Sequence, residues 1–381
     1  RRELALSDED MMATDILRRF PIVTKQVIRD NEDGFISTEA RGIQFMRTSG
    51  SSGQPFKFGL GLDRIAHDVA AKWRATNWWN VDIGDREAVI WGSNIELGGQ
   101  SLIKHCRDKL FRSKLFPAQH LDELGLDELF EKLQKFDPAM IYGYPSIMTL
   151  LAEHAKKHDK KYQGTSLKVI FCTAEKLYDY QRESIEDVFG APVANGYGSR
   201  DAGFIAHECP QGGLHISAED ILVEVVDDNG QPCLPGETGR LLVTHTRTAD
   251  FPMVRYDTGD LATLSSKLCG CGRNLPCFDD IIGRSNDVLY ATNGSAIHGA
   301  YIGNIIREDD AVCHFQLVQE NARKFTLSLV SYPRTSPNIN ELSDKLKAVL
   351  GENIDIESSV VESIPAEISG KYKYIINRYK K

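Results

Sequence analysis

The sequence predicts an α/β protein: a large N-terminal α/β domain with an appended antiparallel β unit, plus a small C-terminal α+β domain. Three observations carry that expectation. Helix and strand patterns alternate through the middle of the chain. The texture changes near Ile221 to paired strands around tight turns. The last segment then follows an αββαβ order of its own.

Each element has a local reason. In "LGLDELFEKLQKF", Leu126, Leu129, Phe130, Leu133 and Phe136 recur at helical spacing, and Asp137-Pro138 ends the run. "YGYPSIMTLLAEHAKKH" reads as a turn feeding a second helix. "LKVIFCTAE" is a short buried strand, and "YDYQRESIEDVFG" is a helix closed by Gly190. Strands alternating with helices imply a parallel sheet covered on both faces. From Ile221, "ILVEVVDDNGQPCLPGETGRLLVTHT" holds two strands around Asp228-Asn229-Gly230 and Pro235-Gly236. The C-terminal part gives a helix near "GAYIGNIIRE", strands "CHFQLVQE" and "KFTLSLVSY", helix "NELSDKLKAVLG" and strand "ESSVVESI". The expected domains are therefore 1–286 and 287–381, the second small and mobile.

Composition narrows the function classes. The chain has 381 residues, 41% hydrophobic and 26% charged, as an ordinary globular protein does. A net charge of −9 argues against nucleic acid as partner. No apolar run approaches the ~20 residues that span a bilayer. The start, "RRELALSDED", lacks a signal-like apolar core, so a cytoplasmic location is expected, with no membrane partner. It also lacks Met, which leaves room for a truncated N-terminus and for a homodimer contact there.

Several loops carry chemistry. "RTSGSSGQPFKF" offers backbone N–H groups, the hydroxyls of Thr48, Ser49, Ser51 and Ser52, the glycines Gly50 and Gly53, and the cation Lys57. These are the parts that grip a polyphosphate, although the spacing fits neither a Walker A loop nor a dinucleotide fingerprint. "NGYGSRDAGFIAHEC" places Tyr197, Gly198, Ser199, Arg200 and Asp201 directly after an α/β unit. "RYDTGDL" sets Asp257 and Asp260 on either side of a Thr-Gly turn. "GRSNDV" supplies Arg284 and Asp287, and "SGKYKY" places Lys371 behind a Ser-Gly turn.

In this order the motifs resemble the AMP-forming adenylate enzyme superfamily, and more narrowly its phenylacetate–CoA ligase branch with the CapK-type proteins. The ordered set is the Ser/Thr/Gly loop, "GYPS", "TAEKL", "YGSRDAG", "RYDTGD", "GRSND" and "SGK". The likeness runs from about Phe20 to the end, and the order is far more specific than any single motif. It implies ATP-dependent adenylation of a carboxylic acid, with pyrophosphate release and transfer to the thiol of CoA. The alternatives are a carrier-protein or amine acceptor, or a nucleotide-binding relative without turnover.

By that resemblance, Thr48–Lys57 clamps the β- and γ-phosphates, with Phe56 standing where the family has its Lys. Ala174 and Glu175 line the adenine pocket and Tyr197 stacks on the base, with Gly198 and Ser199 beside it. Asp201 occupies the position of a Glu that helps hold Mg²⁺, and Arg200 that of a Thr on the α-phosphate. Asp260 bonds the ribose with help from Arg284. Lys371 is the lysine delivered by the small domain, and Asp287 is the hinge. Trp91, Tyr142 and Tyr144 suggest an aromatic-lined pocket suited to an aryl or arylacetic acid.

The eight cysteines do not suit a disulfide scaffold. "HECPQGGLH" and "KLCGCGRNLPC" instead offer Cys209, His215, Cys269 and Cys271, two pairs suited to tetrahedral structural zinc, with Cys277 or His207 as a substitute ligand.

Overall fold

The computed structural model describes residues 14–48, 56–91, 102–118, 123–284, 288–298, 302–303, 305–306, 308–332, 334–365 and 373–379. Ser49–Gly53, Asp287 and Lys371 lie outside the described residues, as do the side chains of Thr48 and Arg284. The chain divides into two compact units, Arg1–Ile281 and Ile282–Lys381.

The first unit is organised by an 11-stranded sheet. One half is parallel: β3 (Glu87–Trp91), β4 (Ser113–Pro117), β5 (Met140–Gly143), β6 (Val169–Thr173) and β7 (Val193–Ser199), in the order β4-β3-β5-β6-β7. The helices foreseen from periodicity form as α4 (Glu123–Phe136), α5 (Pro145–Lys157) and α6 (Asp179–Phe189). Leu126, Leu129, Phe130 and Leu133 of α4 pack with Ile147 and Leu151 of α5 and Ile185 of α6 against Ile90, Ile141 and Ile170. Burying one stripe per helix in this way removes the apolar face of the sheet from water. Helix α2 (Leu62–Asn77) runs against β8 (Gly203–Glu208).

The β unit continues the same sheet and is not a separate layer. β8 turns back antiparallel to β7, followed by β9 (Leu214–Ile216), β13 (Cys277–Arg284), β12 (Tyr256–Leu264), β11 (Thr238–His245) and β10 (Ile221–Val226). The two strands read from "ILVEVV" and "GRLLVTH" are β10 and β11, antiparallel from Ile221↔His245 to Val226↔Arg240. What the local pattern lacks is β8, β9 and β13, and the long-range step among them is the pairing of β9 with β13 at His215↔Cys277 and Leu214↔Phe278. They bridge the parallel half to the antiparallel one. A separate hairpin, β1 (Gln44–Thr48) and β2 (Phe56–Leu60), closes with Thr48 opposite Phe56, so the Ser/Thr/Gly stretch joins its two arms.

In the second unit, β14 (Val288–Tyr290) pairs with β15 (Ala296–His298). A four-stranded sheet runs β18-β17-β16-β19, built from β16 (Val312–Gln319), β17 (Lys324–Ser331), β18 (Asp355–Val360) and β19 (Ile375–Asn377). Helix α7 (Ile339–Leu350) sends Leu342, Leu346 and Leu350 into a core with Phe315, Leu317, Phe325 and Leu327. Strand β19 was not foreseen: its three residues carry no alternation, and its parallel pairing with β16 is what makes it a strand. Gln319, fully buried, holds the β14 arm through its amide, which donates to the Tyr290 carbonyl at 2.9 Å and accepts from the Tyr290 N–H at 2.8 Å.

Candidate active site

Parallel strands β3, β5, β6 and β7 end on one edge, and the chain reverses direction immediately after β7. In open α/β sheets this carboxyl edge, where the strand direction switches, is where ligands bind. Four groups of sequence candidates collect there: Trp91 ends β3, Tyr144 follows β5, Ala174-Glu175 follows β6, and Tyr197–Ser199 ends β7. Ala174 sits at φ 69°, a left-handed conformation that a non-glycine residue adopts at a cost of order 1–3 kcal/mol. The turn holds it there: Glu175 Oε2 accepts the Ser146 N–H of α5 at 3.1 Å.

Two of the motifs lock together. The Tyr197 hydroxyl donates to Asp260 Oδ2 at 2.6 Å, joining β7 to β12. Asp260 is set by its own turn, its N–H donating to Thr258 Oγ1 at 3.1 Å. Asp257, the other carboxylate of "RYDTGD", is consumed by the turn and by Arg240, whose Nη2 lies 2.6 Å away. The second link is buried. Tyr256 donates its hydroxyl to Asp201 Oδ2, and Lys25 Nζ lies 3.5 Å from the same oxygen. Burial alone pushes the Asp201 carboxyl up. Lys25, with the Tyr256 and Ser199 hydrogen bonds, outweighs that and holds it below the ordinary value of 3.8, so Asp201 is ionised.

Beneath this turn, Arg64 of α2 is 1% exposed. It donates to the Asp201 carbonyl at 3.4 Å and to Asp68 Oδ2 at 2.9 Å. Gly203, at φ 98°, leaves the space this pair occupies, since a Cβ there would lie 2.9 Å from both Arg64 Nη2 and Asp68 Oδ1. His245 completes the group. Its Nδ1 accepts the Arg247 N–H at 3.2 Å, and its Nε2 lies 3.6 Å from Asp68 Oδ1.

Lys57 faces away from this cluster. Phe56 is fully buried against Phe58 and Tyr256, and strand alternation sends Lys57 to the other face, paired with Glu32 and 4.4 Å above the Phe45 ring. Arg200 is half-buried at the same turn as Asp201. Trp91 packs on Tyr144 at 4.2 Å and stacks with Tyr142 at 6.2 Å between centroids, so the three rings fill one another's space. Among the described residues, Trp91 Nε1 and Ser146 Oγ are buried without a hydrogen-bond partner.

The cysteine cluster forms as foreseen from spacing. Ligand atoms of Cys209, His215, Cys269 and Cys271 all lie within 4.8 Å of one another. Cys209 Sγ and Cys269 Sγ are 3.7 Å apart, against about 3.8 Å for two thiolates around a tetrahedral zinc. His215 Nε2 lies 3.2 Å from Cys271 Sγ, while its Nδ1 lies 3.2 Å from the Leu275 carbonyl, the kind of partner that orients a metal-binding imidazole. Cys277 Sγ stands 3.3 Å from Nδ1, behind the ring, and His207 belongs to the neighbouring strand position, so neither joins the four. Burial lifts the Cys209 thiol to about 11. At Cys271 burial also raises the pKa, but the Arg273 backbone N–H and side chain and the nearby thiols outweigh it and bring the thiol to about 6. The donor set fits zinc. The fit at Asp201 is different: the residue is 4% exposed and its Oδ2 is taken by Tyr256 and Lys25, which does not suit direct Mg²⁺ coordination.

With this geometry, residues 114–250 match the AMP-binding enzyme family and residues 289–378 match the CapK C-terminal domain. The chain is 26% identical to Protein CapK of Staphylococcus aureus over 377 residues, 96% of this chain and 81% of that one. It is also 26% identical to a phenylacetate-coenzyme A ligase of Escherichia coli (strain K12), over 94% of this chain and 84% of the relative. A solved structure of 2-hydroxyisobutyryl-CoA ligase with R3-HIB-AMP superposes with a TM-score of 0.78 at 21% identity, covering 99% of this chain and 84% of that one. The chain thus carries an AMP-binding enzyme domain followed by a CapK C-terminal domain, and over most of its length it is similar to CapK and to phenylacetate-coenzyme A ligase.

Among adenylate-family positions, the fold brings Tyr197, Gly198, Ser199, Arg200, Asp201 and Asp260 into one neighbourhood, with Ala174 and Glu175 on the next strand end. Arg284 ends β13. Sequence reasoning missed Lys25, Arg64 and Tyr256. Tyr256 was visible inside "RYDTGD"; Lys25 and Arg64 lie on helices far upstream, and no local signal marks them.

The group under the turn has a pH signature. Burial holds the His245 imidazole below its ordinary 6.5, against the pull of Asp68, with Arg64 acting in the same sense as burial. A lowered histidine contributes stability that is present above about 6.5 and is lost as pH falls, because the unfolded chain takes the proton first. The urea midpoint should therefore fall between pH 7 and pH 5, and fall less steeply in His245→Gln. Equal slopes in the two proteins would show that His245 does not contribute.

Proposed function

We propose that this chain activates a carboxylic acid by adenylation and transfers the acyl group to the thiol of CoA. The observation that carries the reading is the pairing of Tyr197 with Asp260 at the carboxyl edge of the sheet. It sets a half-buried aromatic ring next to a carboxylate, the pair of groups that holds a purine and a ribose diol.

The chemistry needs little from the protein besides placement and charge. One oxygen of the acid attacks the α-phosphorus of ATP. The bond from that phosphorus to the bridging oxygen breaks, and its electron pair leaves with pyrophosphate. The CoA sulfur then attacks the acyl carbon, the bond to AMP breaks, and a thioester forms as the thiol proton is lost to solvent. The first step brings anion to anion, so it depends on cations and backbone dipoles aligned with the two oxygens. Mg²⁺ enters with ATP as its counter-ion. Thr48–Gly53 hold the phosphates, Arg200 meets the α-phosphate and Asp260 the ribose hydroxyls. Lys371 from the second unit stabilises the charge that develops in adenylation. A turn about Asp287 then withdraws Lys371 and opens the way for the thiol.

The acid sits near Trp91, Tyr144 and Ala174. The buried, unpartnered Trp91 Nε1 and Ser146 Oγ favour an acid that carries a polar group as well as a ring or alkyl body. The Cys209–His215–Cys269–Cys271 set holds a structural zinc: all four positions are protein ligands, which leaves none for a substrate.

ATP–pyrophosphate exchange over a panel of aryl, arylacetic, hydroxy and fatty acids should appear with one class and fall by about 100-fold or more in Lys371→Ala. No exchange with any acid, despite tight ATP binding, would favour a nucleotide-binding relative without turnover. Thioester formation with CoA but not with a carrier protein would fix the acceptor. For the metal, the purified protein should carry about one zinc per chain, lost in Cys271→Ser. Zinc-free protein that melts at the same temperature would reject the centre.

A further inference from the structure

We propose that Lys25 is a further protein cation that meets the phosphates of the bound nucleotide, and that the buried Asp201 carboxylate holds its ammonium in place. This rests on the adenylating reading above and assigns a residue that no motif contains.

Lys25 is placed with unusual firmness for a lysine. The segment before it lies along β12 as an added strand: Val23 bridges Tyr256, the Val23 N–H donates to the Arg255 carbonyl at 3.0 Å, and the Asp257 N–H donates to the Val23 carbonyl at 2.9 Å. Thr24 then caps α1 (Lys25–Asp30), its hydroxyl accepting the Val27 N–H at 3.3 Å. Lys25 thus begins a helix whose entry is stitched to the "RYDTGD" strand. Its side chain crosses to the "YGSRDAG" turn, with Nζ 3.5 Å from Asp201 Oδ2.

The exposures show which of the two faces outward. The Asp201 side chain is 5% exposed and that of Lys25 is 26% exposed, so the ammonium lies over the carboxylate and presents its remaining donors to solvent. Nζ is also 5.9 Å from the ring centroid of Phe56, whose strand position opposite Thr48 closes the hairpin. Lys25 therefore stands between the hairpin arm and the turn that carries Ser199 and Arg200.

Two other basic residues of this region are committed elsewhere. Arg64 is buried and bonded to Asp68 and to the Asp201 carbonyl. Lys57 is paired with Glu32 on the opposite face of its strand. Asp201 itself is closed to a directly bound cation, since Tyr256 and Lys25 occupy Oδ2. A carboxylate buried in this way serves the anion through the lysine it holds: it fixes the position of an ammonium that is itself partly exposed.

The structural alternative is that Lys25 does no more than neutralise a buried Asp201, and removing both charges together separates the two. Calorimetric titration of ATP and of adenosine is made on the wild type, Lys25→Met, Lys25→Arg and the Lys25→Met/Asp201→Asn double variant, with melting temperatures alongside. Lys25→Met should weaken ATP by about 10- to 100-fold, the range of a charge-assisted contact, and leave adenosine unchanged. Lys25→Arg should retain most of the ATP affinity. The double variant should recover the melting temperature but not the ATP affinity. Recovery of ATP affinity in the double variant would overturn the proposal, as would a Lys25→Met protein that binds ATP within about twofold of the wild type. A wild type that binds adenosine and ATP equally weakly would instead overturn the adenylating reading on which the proposal rests.

Discussion

A carboxylate withdrawn from water has to be met by donors or by a cation, and Asp201 is met by both. The Tyr256 hydroxyl, the Lys25 ammonium and the Ser199 hydroxyl converge on a side chain that is almost fully buried. Removing one partner of such a buried pair typically costs about 3–5 kcal/mol, because the remaining charge stays out of water. The three partners come from the start of α1, from β12 and from the end of β7. Asp201 therefore ties an N-terminal segment, the antiparallel half of the sheet and the parallel half at one point. Arg64 and Asp68 support the same turn from α2, and the Tyr197–Asp260 bond makes a second link between β7 and β12.

The sheet explains why those links matter. Its parallel half supplies strand ends for a ligand, and its antiparallel half supplies the carboxylate turn that closes over them. Between the halves lie β8, β9 and β13, whose Ile205, Ala206, Leu214, Ile216 and Phe278 share one core with Leu241, Val243 and Tyr256 of the antiparallel half. The cysteine cluster sits at this joint: His215 is on β9, Cys209 follows β8, and Cys269 and Cys271 precede β13. Trp78 packs edge-on against His215 and lies 4.7 Å from the Arg273 guanidinium, so the end of α2 covers the same joint. A metal there would fix the angle at which "RYDTGD" faces Tyr197.

Much of this was legible in the sequence, for physical reasons that can be named. Helices α4, α5 and α6 show because each buries one stripe, which writes a 3.6 period into Leu126, Leu129, Phe130 and Leu133. The cysteine ligands show because a Cys-Gly-Cys-Gly turn has few other uses. Tyr197, Asp201 and Asp260 show because they stand in motifs whose order is specific. What stayed hidden is long-range. Strand β19 exists only by pairing with β16, and the continuity of the sheet depends on strands that meet far from their sequence neighbours. Lys57 was the cation that the Ser/Thr/Gly stretch offered, one residue past the family's lysine position, and strand alternation turns it to Glu32. Lys25, with no motif around it, reaches Asp201. The aromatic trio reads as a pocket in sequence, whereas in space Trp91, Tyr142 and Tyr144 pack on one another.

The central claim is that the carboxyl edge of the sheet binds a nucleotide through Tyr197 and Asp260 acting as one unit. A double-mutant cycle on AMP binding tests it most directly, with Tyr197→Phe, Asp260→Asn and the pair measured by titration calorimetry. If the hydroxyl works by orienting the carboxylate, the double variant should bind AMP no more weakly than Asp260→Asn alone. Losses that simply add, or AMP affinity that is the same in all four proteins, would contradict it.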